Sequence, residues 1–458
     1  MELSPALLDD ETRPWADPAA YWPALSRAVT ARTGAGPGYP LATLDLTALE
    51  HNAADLRRRA GGIPIRVASK SVRCRPVVEA LLRQEGYAGV LAYSLAEAVW
   101  AAGWCDDVLM GYPSTDRAAL AELLTDEQAC GRVTLMVDSV VHLDLVDAVA
   151  GPDARPEVRV AIDLDLAYEP PVASRLTGRV GVYRSPVATA EQARVLAQAV
   201  VARRGFRLVG VMGYEAQIAG VGDASPEPVT PEPGLLPRAR SAAARTQAAT
   251  ARARALVLRR LQADSWVDVL ERRSAMVAAI REVADAAGGR HGLEVVNGGG
   301  TGSVHLTRHD PSITEVAAGS GLFGPTLFDR YRSFAPAPAA AFALPVVRRP
   351  AGDIATVAGG GWVASGPAGA DRVPSVVWPG EVELLANEGT GEVQTPLRGP
   401  GARGLAVGEL TWWRHAKAGE LAEHVAELTL VRTARSGGVT ADVEGSVPTY
   451  RGEGKAFG

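Results

Sequence analysis

The chain has 458 residues, 47% of them hydrophobic, and a formal net charge of −5 at pH 7. This length suits a large barrel with a smaller partner domain, and the apolar fraction supplies an ample core. The charge predicts no nucleic-acid partner, and no apolar run approaches the ~18 residues that a membrane-spanning helix needs. The acidic start, MELSPALLDDETRPW, and three scattered cysteines predict a cytoplasmic protein without a secretory signal.

Eight short apolar runs alternate with segments of helical periodicity between residues 65 and 320. The runs are IRVAS (65–69), AGVLAY (88–93), DVLMG (107–111), VTLMVD (133–138), VRVAIDLD (158–165), RLVGVMGY (207–214), LEVVNGG (293–299) and ITEVAAGS (313–320). Parallel strands need helical crossovers and bury both faces, so the pattern predicts an α/β fold built on a closed (β/α)8 barrel of the TIM type. A doubly wound open sheet is the alternative.

Two further segments interrupt this regular alternation. YPLATLDL (39–46) has strand character, and we expect it to pair with the first barrel strand, which follows it. Residues 220–262 interrupt the sixth crossover with a loop rich in Pro, Glu and Asp, followed by an Ala/Arg run of high helix propensity. We interpret that run as a solvated helix rather than a nucleic-acid-binding arm, because acidic residues elsewhere balance its charge.

Helical periodicity fades after the stretch APAPAAAFALP (335–345), whose composition indicates a linker. The remainder is rich in Gly, Pro, Val and Thr and contains strand-like pieces such as IATVAGGGWVAS, LTWWRH and VAELTLVR. We therefore expect the barrel to span residues 39–335. A C-terminal, mainly-β domain should span residues 346–458, with residues 1–38 contributing in part.

Polar and small residues follow the predicted strands at the ends where barrels of this kind place their active sites. Lys70 follows the first strand, residues 297–303 (NGGGTGS) follow the seventh, and residues 319–321 follow the eighth. Successive glycines let backbone N–H groups approach an anion, and Thr301 and Ser303 add hydroxyl donors, so the two turns predict a phosphate site. A partly desolvated lysine forms a Schiff base with an aldehyde, so lysine and phosphate together suggest pyridoxal phosphate. A snorkelling surface lysine is the alternative.

The order and spacing of these motifs resemble those of the fold-type III pyridoxal phosphate enzymes, the alanine racemase-like barrels. Within them, the sequence is similar to the D-threonine aldolase and D-serine dehydratase group. The segments that carry the resemblance are YPLATLDLTALEHNA (39–53), IRVASKSVRC (65–74), GVLAYSLAEAVWAAGWCDDVLMGYP (89–113), RLTGRVGV (175–182), GVMGYEAQ (210–217), VNGGGTGS (296–303) and TEVAAGSGLFGPTLFDRY (314–331). It covers roughly residues 39–335.

The resemblance implies a role for each matching residue. Lys70 would bond to the cofactor aldehyde, Arg179 would lie near the cofactor ring toward its phenolic oxygen, and Tyr214 would face the ring or its nitrogen. The small residues that would hold the phosphate are Gly299, Gly300, Thr301, Gly302, Ser320 and Gly321. From the residues alone, a surface ion pair for Arg179 and a core aromatic for Tyr214 remain alternatives.

The C-terminal region departs from the pattern of that group. There, a His-x-Cys or His-x-Asp pair binds a divalent metal that contacts the substrate's β-hydroxyl. The corresponding segment, TWWRHAKAGELAEH (411–424), offers His415 as a metal ligand but then Lys417, and a protonated lysine has no lone pair for a cation. Candidates at positions 420, 423 and 424 have a different spacing. Without a metal, His415 or Lys417 would handle the β-hydroxyl proton directly. An ordinary polar turn is the remaining alternative.

The resemblance implies a pyridoxal phosphate-dependent lyase, working as a homodimer on β-hydroxy α-amino acids of D configuration. An aldolase would split the Cα–Cβ bond to give an aldehyde, and a dehydratase or deaminase would expel the β-hydroxyl. A racemase needs a second base opposite Lys70, for which Tyr450 is an unassigned candidate. A non-catalytic cofactor-binding barrel is the last alternative, and the 113 residues from 346 onward count against it.

Overall fold

The computed structural model describes residues 1–33, 38–170, 178–224, 237–367, 369, 371–417 and 419–457. These residues form two compact units. The first unit comprises Met1–Gly111, Ala317–Leu327 and Pro336–Gly458, and the second comprises Tyr112–Val316 and Phe328–Ala335. No helix within these described ranges is long and apolar enough to cross a membrane.

The elements are numbered in chain order. The strands are β1 (Leu41–Asp45), β2 (Ile65–Ala68), β3 (Tyr87–Ala92), β4 (Val108–Met110), β5 (Val133–Val137), β6 (Val158–Leu164), β7 (Phe206–Gly213), β8 (Val295–Gly298), β9 (Glu315–Ala318), β10 (Ala340–Ala351), β11 (Ile354–Ala358), β12 (Ser375–Trp378), β13 (Glu383–Leu384), β14 (Gln394–Arg398), β15 (Leu410–Arg414), β16 (Glu427–Arg435) and β17 (Val439–Pro448). The helices are α1 (Pro18–Thr33), α2 (Leu46–Ala60), α3 (Arg75–Leu82), α4 (Leu95–Ala102), α5 (Arg117–Thr125), α6 (Glu127–Arg132), α7 (Val140–Val149), α8 (Ala190–Ala202), α9 (Ala216–Ala219), α10 (Pro237–Ala287), α11 (Val304–Thr307), α12 (Ser320–Phe323) and α13 (Glu420–His424).

Strands β2 to β9 close into the predicted barrel in chain order, and each lies within one of the eight predicted runs or extends it by one residue. The strands form because their side chains are buried on both faces, as in β5, where every residue is buried. Local capping starts several of the helices between them. Asp116 accepts hydrogen bonds from two first-turn amides of α5, and Thr189 forms a capping box with Gln192 at α8. The predicted closed barrel is confirmed, and the open sheet is excluded.

The prediction that the strand at residues 39–46 pairs with the first barrel strand was wrong. Strand β1 pairs antiparallel with β10, where Leu41 faces Ala343, and parallel with β16, where Thr43 faces Thr429. It thereby joins the C-terminal sheet, whose order is β13-β14-β11-β10-β1-β16-β17, with β15 paired to β10 and β12. The physical reason is that a closed barrel offers no free edge, so a strand buried along most of its length must find its neighbours in another sheet.

The predicted linker is also partly a strand. Strand β10 begins at Ala340, inside the Pro/Ala stretch, and runs through the C-terminal sheet. Its Ala341 and Ala343 belong to a buried cluster with large residues of helix α1 and Trp412. Small side chains here leave room for Trp and Tyr rings, so packing explains a composition that by itself indicates a linker. Strands β12 and β17 were not predicted.

Helix α10 joins two helices that the sequence predicts separately. It spans 51 residues, from the Ala/Arg run through the segment at 268–288, and no Gly or Pro interrupts it after its first residue. Its side chains are described from residue 249 onward. The exposed loop predicted before it falls largely on residues 225–236, which lie outside the described residues.

Candidate active site

Lys70 lies at the carboxyl end of the first barrel strand. Strand β2 ends at Ala68, and Ser69–Ser71 form a single 3-10 turn that carries the partly buried lysine. The turn is held from both sides: the amides of Val72 and Arg73 donate to the Ser69 carbonyl at 2.9 and 2.8 Å. The Nε of Arg73 donates to the Lys70 carbonyl at 3.0 Å. The lysine backbone is therefore fixed, as the prediction of a strand-end amine requires.

A buried carboxylate network lies in the same unit. Glu97 is fully buried and accepts hydrogen bonds from the Tyr93 amide at 2.8 Å and the Tyr450 hydroxyl at 3.0 Å. Burial raises the pKa of Glu97, and burial together with the Glu97 charge raises the pKa of Tyr450. A phenol held protonated in this way is a poor proton acceptor, so Tyr450 gives no support to a racemase.

His415 occupies the residue directly after β15 and is fully buried. Neither ring nitrogen has a hydrogen-bond partner in the described part of the chain. Burial, with a smaller contribution from the charge of Arg414, lowers the pKa of His415 to about 3, so the imidazole is neutral. The side chain has no exposed surface, and its role as a catalytic group stays a prediction.

The residues present do not fit the metal that the resemblance implies. The position of the second ligand is taken by Lys417, and no group of three or more His, Cys, Asp or Glu side chains is placed to hold an ion among the described residues. His415 is therefore a predicted ligand without companions, and no step is assigned to a metal below.

Lys417 lies on a loop that contacts the Lys70 turn. Its Nζ donates to the Ser365 carbonyl at 3.3 Å, and its backbone N–H donates to Glu420 Oε1 at 2.6 Å. Burial, then the charges of Arg372 and Lys70, lower the pKa of Lys417, and burial raises the pKa of Glu420 to about 7. The structure thus brings Lys417 within electrostatic range of Lys70.

A glycine makes this close approach possible. A Cβ atom on Gly419 would lie 2.2 Å from the carbonyl oxygen of Lys70, so no other residue fits without a backbone shift. The turn after β9 is similarly tight, since a Cβ atom on Gly319 would lie 2.3 Å from the carbonyl oxygen of Ala68. The predicted phosphate ligands Ser320 and Gly321 follow directly and begin the four-residue helix α12.

In the second unit, the predicted glycine loop packs against Tyr214 and Ala219. A Cβ atom on Gly300 would lie 3.1 Å from the Tyr214 ring, and one on Gly302 would lie 2.3 Å from the Ala219 carbonyl oxygen. Gly299 has a φ of +82°, which favours glycine. The loop residues predicted from sequence therefore lie together with Tyr214.

A buried ion-pair network that the sequence did not reveal supports this loop. Glu215 accepts from the Gly299 amide at 3.2 Å, from the Ser303 hydroxyl at 3.0 Å and from Arg273 Nη2 at 2.6 Å. Arg273 also binds Asp310 through Nη1 at 2.8 Å. The hydroxyl of Ser303 donates to Glu215, so it supports the loop in this arrangement, and its role as an anion donor stays a prediction. Glu215 follows Tyr214 in MGYEA, and its position at a strand end was the one available signal.

Tyr214 and Arg179 differ in their surroundings. Burial and the Glu215 charge raise the pKa of Tyr214 to about 12, and the Arg184 guanidinium lies 5.6 Å from its ring centroid. Arg179 forms an ion pair with Asp165 and donates to the Val182 carbonyl at 3.1 Å. The described polar contacts of Arg179 are thus with Asp165 and Val182, and none is with Tyr214.

Each unit supplies groups that suit pyridoxal phosphate. The first presents a partly buried lysine amine at a strand end, the group that reacts with an aldehyde. The second presents a tight glycine loop in which the Gly302 amide has no partner among the described residues. Backbone amides of this kind bind phosphate oxygens. The residues of each unit therefore fit the cofactor.

The alanine racemase N-terminal domain family matches residues 44–326. No curated protein matches the chain by sequence. Three solved structures resemble it in fold. A D-threonine aldolase from Filomicrobium marinum has 18% identity and a TM-score of 0.67, covering 91% of this chain and 95% of that one. A D-threo-3-hydroxyaspartate dehydratase from Delftia sp. HT23 has 19% identity and a TM-score of 0.61, covering 90% and 97%. An alanine racemase-like protein from Idiomarina loihiensis has 15% identity and a TM-score of 0.62, covering 91% and 98%.

Proposed function

The chain belongs to the alanine racemase N-terminal domain family of fold-type III pyridoxal phosphate proteins, and we propose that it is a lyase of β-hydroxy α-amino acids. The observation that carries the proposal is the pair formed by Lys70, at the strand end, and Lys417, on the loop packed against its turn. A β-hydroxy substrate needs a reactive amine at its α-carbon side and a proton-handling group at its β-oxygen.

The cofactor supplies an electron sink that stabilises negative charge at the substrate's α-carbon. The chain's own residues would bind the cofactor, position it and transfer protons. Lys70 would hold the cofactor aldehyde and move a proton at the α-carbon. The amides of the loop from Gly299 to Gly302, with Thr301, Ser320 and Gly321, would bind the phosphate. Tyr214 would pack at the cofactor ring, and Arg179 would lie toward its phenolic oxygen.

Lys417 accepts the β-hydroxyl proton in this proposal. Burial and the charges of Arg372 and Lys70 lower its pKa, so a larger fraction of the amine is unprotonated near neutral pH and able to accept a proton. Removal of that proton promotes Cα–Cβ cleavage, so aldol cleavage of D substrates is the proposed reaction. Lys417 thereby takes the place in which the resembling group has a metal. We expect a chelator to leave the activity intact, and loss of activity on chelation would contradict this assignment.

A covalent test is unusually specific because the chain contains only three lysines, Lys70, Lys417 and Lys455. Protein supplied with cofactor should show the absorption band of a lysine-bound aldehyde. Borohydride should fix the cofactor to the peptide that contains Lys70, and Lys70→Ala should abolish the band while Lys455→Ala retains it. A colourless protein in excess cofactor would end the proposal.

The reaction is tested with D-threonine and D-phenylserine. Release of glycine and an aldehyde supports the aldolase, whereas ammonia and an α-keto acid would move the assignment to a dehydratase or deaminase. Loss of optical activity without either product would indicate a racemase. We also propose a homodimer, which light scattering of the purified protein would test by its mass.

A further inference from the structure

Two loops of the first unit meet beside the Lys70 turn. The described part of one comprises residues 365–367, 369 and 371–372, and that of the other comprises residues 415–417 and 419–420. They are joined where the Lys417 ammonium donates to the Ser365 carbonyl at 3.3 Å. The second loop reaches the Lys70 carbonyl through Gly419, as described above. We call the set Arg372, Lys417 and their two loops the cationic corner.

Arg372 is positioned but incompletely paired. Its Nη1 donates to the Asp371 carboxylate at 2.6 Å and to the Asp371 carbonyl at 3.1 Å. Its Nε is buried without an acceptor, and Nη2 has no partner among the described residues. Gly366, with a φ of +121°, lets the guanidinium lie against its own loop, since a Cβ atom there would lie 2.9 Å from Nε. The side chain is 17% exposed, so it is held in place with donors still available.

The charges that act most strongly on the Lys417 ammonium are positive. Besides burial, the charges of Arg372 and Lys70 lower the pKa of Lys417, and those of Glu420 and Asp371 oppose them with smaller effect. Asp371 is already paired with Arg372, and Glu420 Oε1 accepts the backbone amide of Lys417. Within the described residues, no carboxylate lies within ion-pair distance of the Lys417 ammonium. An anion bound here would complete the pairing.

We propose that Arg372 binds a carboxylate carried on the substrate's β-carbon, so that the preferred substrates are β-hydroxy α-amino diacids. The inference rests on the proposed function, in which Lys417 handles the β-oxygen. A carboxylate on the same carbon as that oxygen would meet the guanidinium next to Lys417. One carboxylate suits a guanidinium whose charge is already shared with Asp371.

The reaction balances without a further reactant. The Cα–Cβ bond of a 3-hydroxyaspartate breaks, and the β-carbon becomes the aldehyde carbon of glyoxylate. The electron pair of the broken bond stays with the α-carbon, which gains a proton and leaves as glycine. The proton lost from the β-hydroxyl offsets the proton gained at the α-carbon.

The test compares two substrates that differ in one group. 3-Hydroxyaspartate and threonine of the same configuration carry a carboxylate and a methyl group, respectively, on the β-carbon. We expect the kcat/KM of the wild type to favour the diacid about tenfold or more, as a charge-assisted hydrogen bond allows. Arg372→Met should reduce that ratio about tenfold, and Arg372→Lys should retain part of it. Arg348→Met, at an exposed position of β10, is the matched control and should leave the ratio unchanged.

Two outcomes would overturn the inference. A ratio unchanged by Arg372→Met would remove the carboxylate contact, and an equal loss on both substrates would assign Arg372 to the α-carboxylate instead. The cofactor absorption band of each variant shows whether it has folded. If Arg372→Met lacks the band, Arg372→Lys takes its place in the comparison. Its ratio of kcat/KM for the diacid to kcat/KM for threonine must then fall between the wild-type ratio and one.

A binding measurement separates this inference from the proposed function. Calorimetry with succinate should detect binding to the wild-type protein and about tenfold weaker binding to Arg372→Met. Succinate binding without cleavage of either substrate would leave the anion site standing while the lyase fails. Cleavage of both substrates without succinate binding or diacid preference would leave the lyase standing while the anion site fails.

Discussion

The two units each contain an arginine among carboxylates, and the two arginines are paired to different extents. In the second unit, Arg273 is fully buried and binds two carboxylates, Glu215 at 2.6 Å and Asp310 at 2.8 Å. In the first unit, Arg372 is partly exposed and binds one carboxylate, Asp371 at 2.6 Å. Beside it, Lys417 contacts a carbonyl rather than a carboxylate.

The difference indicates different tasks. The Glu215 carboxylate accepts hydrogen bonds from the Gly299 amide and the Ser303 hydroxyl, so the paired network fixes the shape of the glycine loop. A paired, water-excluded network has little capacity left for a ligand, and removing one member leaves a buried charge. The cationic corner retains both donors and charge. We therefore expect substitutions in the network of Arg273, Glu215 and Asp310 to change stability. Substitutions in the cationic corner should change activity and specificity.

The largest expected effect is that of Arg273→Met. The substitution leaves Glu215 and Asp310 buried without a counter-charge, which costs about 3–5 kcal/mol of unfolding free energy. Urea denaturation of the cofactor-free protein measures it. Arg281→Met, at an exposed position of the same helix, is the control and should change stability by less than about 0.5 kcal/mol. A cost below about 1 kcal/mol for Arg273→Met would contradict a structural role for the network.

Lys417→Met should act on the reaction rather than on stability. Loss of the group at the β-oxygen should lower kcat about 100-fold, as for a general base, while the cofactor absorption band persists. The initial rate of aldehyde formation from D-phenylserine measures this effect. Lys455→Met is the matched control, because Lys455 lies near the Trp100 ring, outside the cationic corner. A full rate in Lys417→Met would assign the proton to another group.

Gly302→Ala tests the shape of the glycine loop. The added Cβ would lie 2.3 Å from the Ala219 carbonyl oxygen and 2.6 Å from the Tyr331 ring, so the loop must shift. We expect cofactor affinity to fall about tenfold, because a displaced amide loses its hydrogen bond to the phosphate. Titration of the absorption band measures it. At Gly292 a Cβ atom meets nothing within 4 Å, so Gly292→Ala should bind cofactor normally.

The smallest effect is expected at Asp163, a buried carboxyl with opposing neighbours. Burial, then the charge of Asp138, raise its pKa from 3.8 to about 7, and Arg184 opposes them. Between about pH 4 and pH 7 the unfolded chain loses this proton and the folded protein keeps it, so stability falls as pH rises and levels off above about pH 7.

Asp163→Asn removes that titration. Relative to the wild type, it should gain about 1–2 kcal/mol of unfolding free energy on going from about pH 6 to about pH 8. Urea denaturation of the cofactor-free protein at the two pH values tests it. Asp285→Asn, at an exposed position of α10, should show no such gain. The same pH dependence in both variants would show that Asp163 is not the group responsible.

Some of the fold and site could be predicted because the signals are local. Each barrel strand is a short apolar run, most of them buried on both faces, and Lys70 follows the first, so its place at the carboxyl edge follows from the pattern. The glycine loop was found in the same way. The roles of the site residues and the domain boundaries remain predictions.

What the sequence by itself determined is therefore the set of barrel strands, their order, and the residues at their carboxyl ends, because each depends on hydrophobic period and on neighbours along the chain. The tertiary structure alone decided the partners of β1, since a closed barrel has no edge to offer it. It alone showed that Arg273 is a buried ion-pair partner, because an arginine on a long helix ordinarily faces solvent. It also brought Arg372 to Lys417 across 45 positions of sequence, where charge and burial, which no local pattern encodes, define the cationic corner.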